Sequence, residues 1–173
     1  MDSLKHIPEI SPLLDNADHI DVKTFESEKS LRHFIADLIS YQPAWMTFLY
    51  RIRWFFVRLL GMKQTSVPKA PTSKPSDISF IEGDAALFFK VVAAEEDRYW
   101  FAEAAESHLT AKLGVVAEPN TANSTTFHVV TVVHYNHWTG PVYFNVIRPF
   151  HHLVVGSMGR HASRPTPTAA VST

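Results

Sequence analysis

Two apolar helical stretches come first, then roughly fifty residues that read as strand, then one more apolar helix carrying Arg148-Pro149-Phe150-His151. No other feature limits the possible folds so tightly. A sheet bracketed by helices in this order can curl around the last helix and leave a hollow between them. That order speaks to architecture and to a place where a ligand could sit, and it names no reaction.

The segment HIDVKTF (19–25) alternates Ile20, Val22 and Thr24 against Asp21 and Lys23, the pattern of a short half-buried strand. Ser27 and Ser30 both offer an N-cap to the helix that follows, with Glu26 and Glu28 near its positive end. That helix sets Leu31, Phe34, Ile35 and Leu38 on one face. Pro43 forces a boundary, because it disfavours helical geometry at Gln42 and suits a first helical position itself. A second helix is predicted from there to about Leu60, with a stripe of Trp45, Phe48, Leu49, Ile52, Phe55, Phe56, Leu59 and Leu60. Gly61 is a suitable stop. Such a stripe can lie in a membrane interface with Arg51, Arg53 and Arg58 toward headgroups. Packing against the sheet or another helix is the stronger expectation, since the chain has few other apolar faces to cover its sheet. Trp54 falls off the stripe.

Residues 63–77 (KQTSVPKAPTSKPSD) hold three prolines and read as a surface connector. Strands are predicted at 85–93, 98–104, 108–116 and 125–135, all rich in aromatic and β-branched residues. Glu95-Glu96-Asp97 and 119–123 separate them as turns. The break near Glu106 is weak, so the strands on either side of it also read as one bent strand. In the last helix Tyr143, Phe144, Ile147, Phe150, Val154 and Met158 share one side. Pro149 removes a backbone bond there, which predicts a kink over 145–149.

With 173 residues, 46% of them apolar and 19% charged, the chain suits one domain with a real core. The reading is an extended leader at 1–16, a domain at 17–162 and a disordered tail at 163–173. A net charge of −1 gives no footprint for nucleic acid. The absence of cysteine removes disulfides, thiolate catalysis and zinc–thiolate sites. The first residues carry acids and two prolines where a signal peptide would be basic and then apolar. No long apolar stretch reads as a spanning helix, the least polar candidate, 44–60, being interrupted by Arg51, Arg53 and Arg58, so no integral membrane contact is expected and a cytoplasmic protein is the default.

Strand, helix pair, antiparallel strands and a long C-terminal helix form the chain order of the helix-grip fold of START-type lipid-binding domains and birch-pollen allergens. More finely, WFFVRLLG (54–61), Glu106-Ser107-His108-Leu109 and GPVYFNVIRPFHHLVVGSM (140–158) resemble a bacterial domain-of-unknown-function family, number 2867. The resemblance spans about residues 18–160, and Arg148-Pro149-Phe150-His151 after Tyr143-Phe144 is its most specific piece. It implies a START-like cavity domain and brings no activity with it. Members occur alone or fused to nucleotide-binding oxidoreductase-like domains. No Gly-rich dinucleotide fingerprint is present, so this chain resembles the stand-alone kind. In that family an acidic residue commonly precedes the histidine matching His108. Here Ser107 stands there, which weakens an acid–base role.

His151 and Arg148, three apart on the helix, can reach a cavity rim, or instead satisfy carbonyls freed by Pro149. His108 shares a strand face with Glu106, a pair able to orient an imidazole, though most such pairs rest on a solvated sheet face. Glu103 has the opposite parity. Among the ten histidines, His128 and His134 share a face but lie roughly 20 Å apart along an extended strand. His151 and His152 diverge by about 100° on a helix, so no metal and no cofactor are expected. No Gly-x-Ser-x-Gly elbow appears.

The expected fold is therefore α+β, a helix-grip curved antiparallel sheet of about six strands around a long kinked C-terminal helix, with two further helices. The expected function is binding of a small apolar or amphipathic molecule between sheet and helix, with Tyr99, His108, Tyr135, Tyr143, Arg148 and His151 as its polar contacts. Two alternatives stand beside it. One is a cyclase- or isomerase-like enzyme using His108 or His151 as a proton shuttle. The other is a structural protein with a filled core, whose apolar faces serve folding and a homodimer.

Overall fold

β-Branched and aromatic residues tolerate the pleated backbone best, and here they build one six-stranded antiparallel sheet. The computed structural model describes residues 7–59, 74–86, 89–121 and 124–165. Its strands are β1 (His19–Ser27), β2 (Ala85–Ala86), β3 (Phe89–Glu95), β4 (Tyr99–Ala105), β5 (Leu109–Thr121) and β6 (Ser124–Tyr135), in the order β1-β6-β5-β4-β3-β2. Strands β2 to β6 pair with their sequence neighbours, whereas β1 closes on β6 with Phe25 opposite Phe127. The helices are α1 (Ser11–Leu14), α2 (Leu31–Ser40), α3 (Ala44–Leu59) and α4 (Thr139–Ala162). The architecture is α+β and helix-grip-like, as expected, with the sheet curved and α4 against it.

Local chemistry sets the boundaries. Ser30, not Ser27, caps α2: its side chain accepts from the His33 N–H at 3.5 Å, while Ser27 ends β1. The Glu106 N–H donates to the Leu109 carbonyl at 2.9 Å, so β4 and β5 are two strands joined by a tight turn and not one bent strand. The turn expected over 119–123 does not begin at Pro119, because β5 continues to Thr121 with a register shift between Pro119 and Thr121. Proline is tolerated there since β4 pairs with β5 only as far as Val116, leaving Pro119 with a neighbour on one side alone.

Both faces of the sheet are covered. On the inner face Trp100, Ala102, Leu113, Val115, Phe127 and Val129 pack with Phe34, Ile35 and Leu38 of α2 and with Val155 and Ala162 of α4. Phe34 stacks on Phe127 at 4.2 Å. The alternate residues Tyr99, Phe101, Val116, Val130 and Val132 face outward, where Ile10, Ile7, Leu13 and Leu14 cover them. Residues 7–16 are thus not an extended leader. A 3-10 turn (Pro8–Ile10) and α1 fold them onto the sheet, and Ile10 is fully buried. Apolar burial outweighs the chain entropy lost in ordering so short a segment.

The stripe expected on α3 is buried only in part among the described residues. Met46 is buried, Leu49, Ile52 and Arg53 are half-buried, and Phe48 and Phe55 are 63% and 58% exposed. Helix α4 runs unbroken through Pro149; Asn145, whose carbonyl the proline leaves unbonded, is on an exposed stretch. Gly159 lets α4 press on β1, since a Cβ there would fall 2.1 Å from the Phe25 ring. Gly61, the side chains of Trp54, Phe56 and Leu59, most of the 63–77 connector and the tail beyond Pro165 lie outside the described residues.

Candidate functional site

Strands β5 and β6 turn every second residue toward α4, and the helix meets them with one apolar side. Small residues such as Ala111 leave the gap unfilled. The result is a cavity of about 330 Å³ between the inner sheet face and helices α2, α3 and α4. Tyr143, Phe144, Ile147, Phe150, Val154 and Met158, the side of α4 read from its spacing, all line it. Besides Tyr41, Gln42 and Lys112, its polar groups gather at two places.

The first lies where α3 meets the β4–β5 turn. Arg53 Nη2 donates to Glu106 Oε1 at 2.8 Å, and the guanidinium stands 5.8 Å from the Tyr143 ring centre. Burial alone would lower the Arg53 pKa, but Tyr143 and Glu106 outweigh it and hold the guanidinium above its ordinary value. Burial likewise raises the Tyr143 phenol. Behind this pair His108 is 1% exposed, edge-on to Tyr143 at 4.7 Å. Its Nε2 is 3.4 Å from Glu106 Oε2, long for a hydrogen bond, and among the described residues neither ring nitrogen has a hydrogen-bond partner. Burial, with Arg53 nearby, lowers the His108 pKa against the pull of Glu106 and so favours the uncharged ring.

The second polar place is on β6 and α4. His151 Nε2 is 3.2 Å from Thr131 Oγ1, and burial pushes the His151 pKa down to about 4. Behind it, at the seam between α4 and β1, Asp21 Oδ2 is 3.1 Å from both Lys23 Nζ and His152 Nδ1. Burial opposes the Asp21 charge, yet Lys23 and His152 keep its pKa below the ordinary value. The His19 ring packs on Phe144 at 4.9 Å, and burial lowers its pKa.

Of the six residues expected to contact a ligand, Tyr143 and His151 line the cavity. His108 stands behind the wall, against Tyr143 and Glu106. Tyr135 is half-buried beyond the lining, 6.1 Å from Phe144, its backbone N–H donating to Asp18 Oδ2 at 2.6 Å. Tyr99 is on the opposite sheet face, because β4 pairs Tyr99 with Val116 and so turns Trp100 inward. Arg148 is exposed on α4 and outside the lining. Arg53, Glu106 and Thr131 were missed as wall residues. The Glu106–His108 shared face was a signal for one of them, whereas Arg53 looked like any solvated charge on an apolar helix. Elsewhere His128 pairs with Glu118 at 3.0 Å and His134 with the Asp15 carbonyl at 3.0 Å. Among the described residues no group of three His, Asp or Glu is placed to hold a metal ion, and no helix is long and apolar enough to cross a membrane.

The sequence profile of a family described as "Protein of unknown function (DUF2867)" matches residues 13–158. The comparison with curated proteins gives no match. Among solved structures, a truncated norcoclaurine synthase from Thalictrum flavum is similar at 11% identity and a TM-score of 0.43, covering 84% of this chain and 91% of that one. A likeness so distant carries no argument, and the fold rests on the strand order and helices themselves.

Proposed function

This chain belongs to the DUF2867 family, whose description assigns no activity, and from its geometry we propose that it binds a small apolar or amphipathic molecule between the sheet and α4. The observation that carries the reading is the cavity of about 330 Å³, walled mainly by aliphatic and aromatic side chains with a minority of polar groups. Ligand sites are concave, apolar and of about 300–1,000 Å³, with few polar groups to fix orientation. A core packed only for stability leaves few voids larger than a water molecule. Acid–base turnover finds less support. His108 is outside the lining, and His151 faces a hydroxyl instead of a carboxylate.

The test is uptake of a neutral reporter, N-phenylnaphthylamine, whose fluorescence rises in apolar surroundings, together with native mass spectrometry of freshly purified protein for a retained adduct. Saturable uptake at one site is expected. Ala111→Phe, which fills the cavity from β5, abolishes it while leaving the circular dichroism spectrum unchanged. Uptake that does not saturate, or that survives in folded Ala111→Phe protein, refutes the reading.

A further inference from the structure

Resting on the ligand-binding reading above, we propose that the cavity selects an uncharged molecule with one oxygen-bearing end, such as a long-chain alcohol or ketone, over a carboxylate or amine of equal length. The ground is charge balance on the wall. Arg53 already faces Glu106 at 2.8 Å. Lys112, the other basic residue of the lining, pairs with Glu103 at 3.8 Å across β4 and β5. Behind His151, Lys23 is matched by Asp21 at 3.1 Å. The His151 ring is neutral at physiological pH, since burial holds it near 4. No net charge on the wall awaits a ligand ion.

A bound carboxylate would have to compete with Glu106 for Arg53, and an ammonium would have to compete with Arg53 for Glu106. Either competition leaves one charge unpartnered among apolar side chains, where solvation no longer offsets it. An uncharged oxygen avoids that penalty. Arg53 and Glu106 stand side by side on the wall, one a donor fork and one an acceptor, and a hydroxyl both donates and accepts. The same arrangement accepts a carbonyl oxygen through the guanidinium alone.

The experiment displaces bound N-phenylnaphthylamine from the full chain with decanol, decanoate or decylamine at neutral pH. Decanol is expected to bind at least about ten-fold tighter than either ion, a difference of about 1.4 kcal/mol. Either ion binding within that factor of the alcohol overturns the inference. Glu106→Gln keeps the side-chain shape and unpairs Arg53, so decanoate gains at least about ten-fold relative to decanol. Arg53→Gln shifts the ranking toward decylamine instead. If one variant fails to fold, the other and the wild-type ranking decide; an unchanged ranking in a folded variant overturns the charge-balance cause. A reporter that never binds, with no binding of any of the three compounds, defeats the ligand reading itself and this inference with it.

Discussion

Replacing Glu106 with Leu removes the carboxylate facing Arg53 and leaves the guanidinium among Tyr143, His108 and the apolar wall. Breaking one side of a fully buried pair costs about 3–5 kcal/mol, whereas an exposed pair contributes about 1 kcal/mol or less. The two side chains are 23% and 18% exposed, which places this pair between those limits and nearer the buried one. Leu also adds apolar burial that offsets part of the loss. The expected destabilisation is about 2 kcal/mol, or a fall in Tm of roughly 4–8 °C for a chain of this size. The double variant Arg53→Met with Glu106→Leu removes both charges and keeps the volume, so it recovers to within about 1 kcal/mol of wild type. Urea and thermal unfolding followed by far-ultraviolet circular dichroism measure all three chains, with the single Arg53→Met variant closing the cycle. A Glu106→Leu loss under about 0.5 kcal/mol refutes the reasoning, as does a double variant no more stable than Glu106→Leu.

Acid should weaken the fold between pH 6.5 and about 4. The folded His151 pKa, near 4, is below its unfolded value of 6.5, so the unfolded chain binds the proton first as pH falls. Stability is then full well above 6.5, is lost by on the order of 3 kcal/mol as pH falls through 6.5 toward 4, and levels off once pH is about a unit below 4. His19 and His108 are shifted the same way, so His151→Gln should flatten the slope of unfolding free energy against pH without abolishing it. Gly114→Ala should cost about 1–3 kcal/mol, because a Cβ would lie 2.1 Å from the buried Phe101 ring, and adding Phe101→Leu should restore part of the loss in denaturant titrations. Ile10→Ala should cost about 2–4 kcal/mol by the same measurement, since its side chain is fully buried against the outer face; a neutral result would mean that residues 7–16 do not pack there.

The side of α4 that lines the cavity was legible because an amphipathic helix advertises its face: one set of spacings gives 143, 144, 147, 150, 154 and 158 together. Tyr99 failed for the opposite reason. Tyr99, Trp100, Phe101 and Ala102 are apolar in succession, so alternation is silent about which pair turns inward, and only the register with β5 decides it. The same silence blurred the margin of the α3 stripe, where Leu49 and Ile52 do face the cavity but Met46 takes the inside while Phe48 stays in water. Arg148 illustrates a limit of spacing, since a residue three before His151 can sit on either margin of the same helical face. Arg53 was hidden because its partner Glu106 lies 53 residues away, and no local pattern reports a contact over that distance. The helical turns over 8–14 were missed because they are too short to hold themselves together, and what orders them is the outer face of a sheet built from residues far downstream.

The pairing of β1 with β6 also governs how the molecule forms. Thr24 and His128 touch at a separation of 104 residues, so the first strand has nowhere to dock until almost all of the chain has left the ribosome. Until then β1, with Ile20, Val22 and Phe25 along it, has no strand to pair with, and another nascent copy can anneal there. Folding should accordingly be slow for a domain this small, and yield on refolding should fall as protein concentration rises.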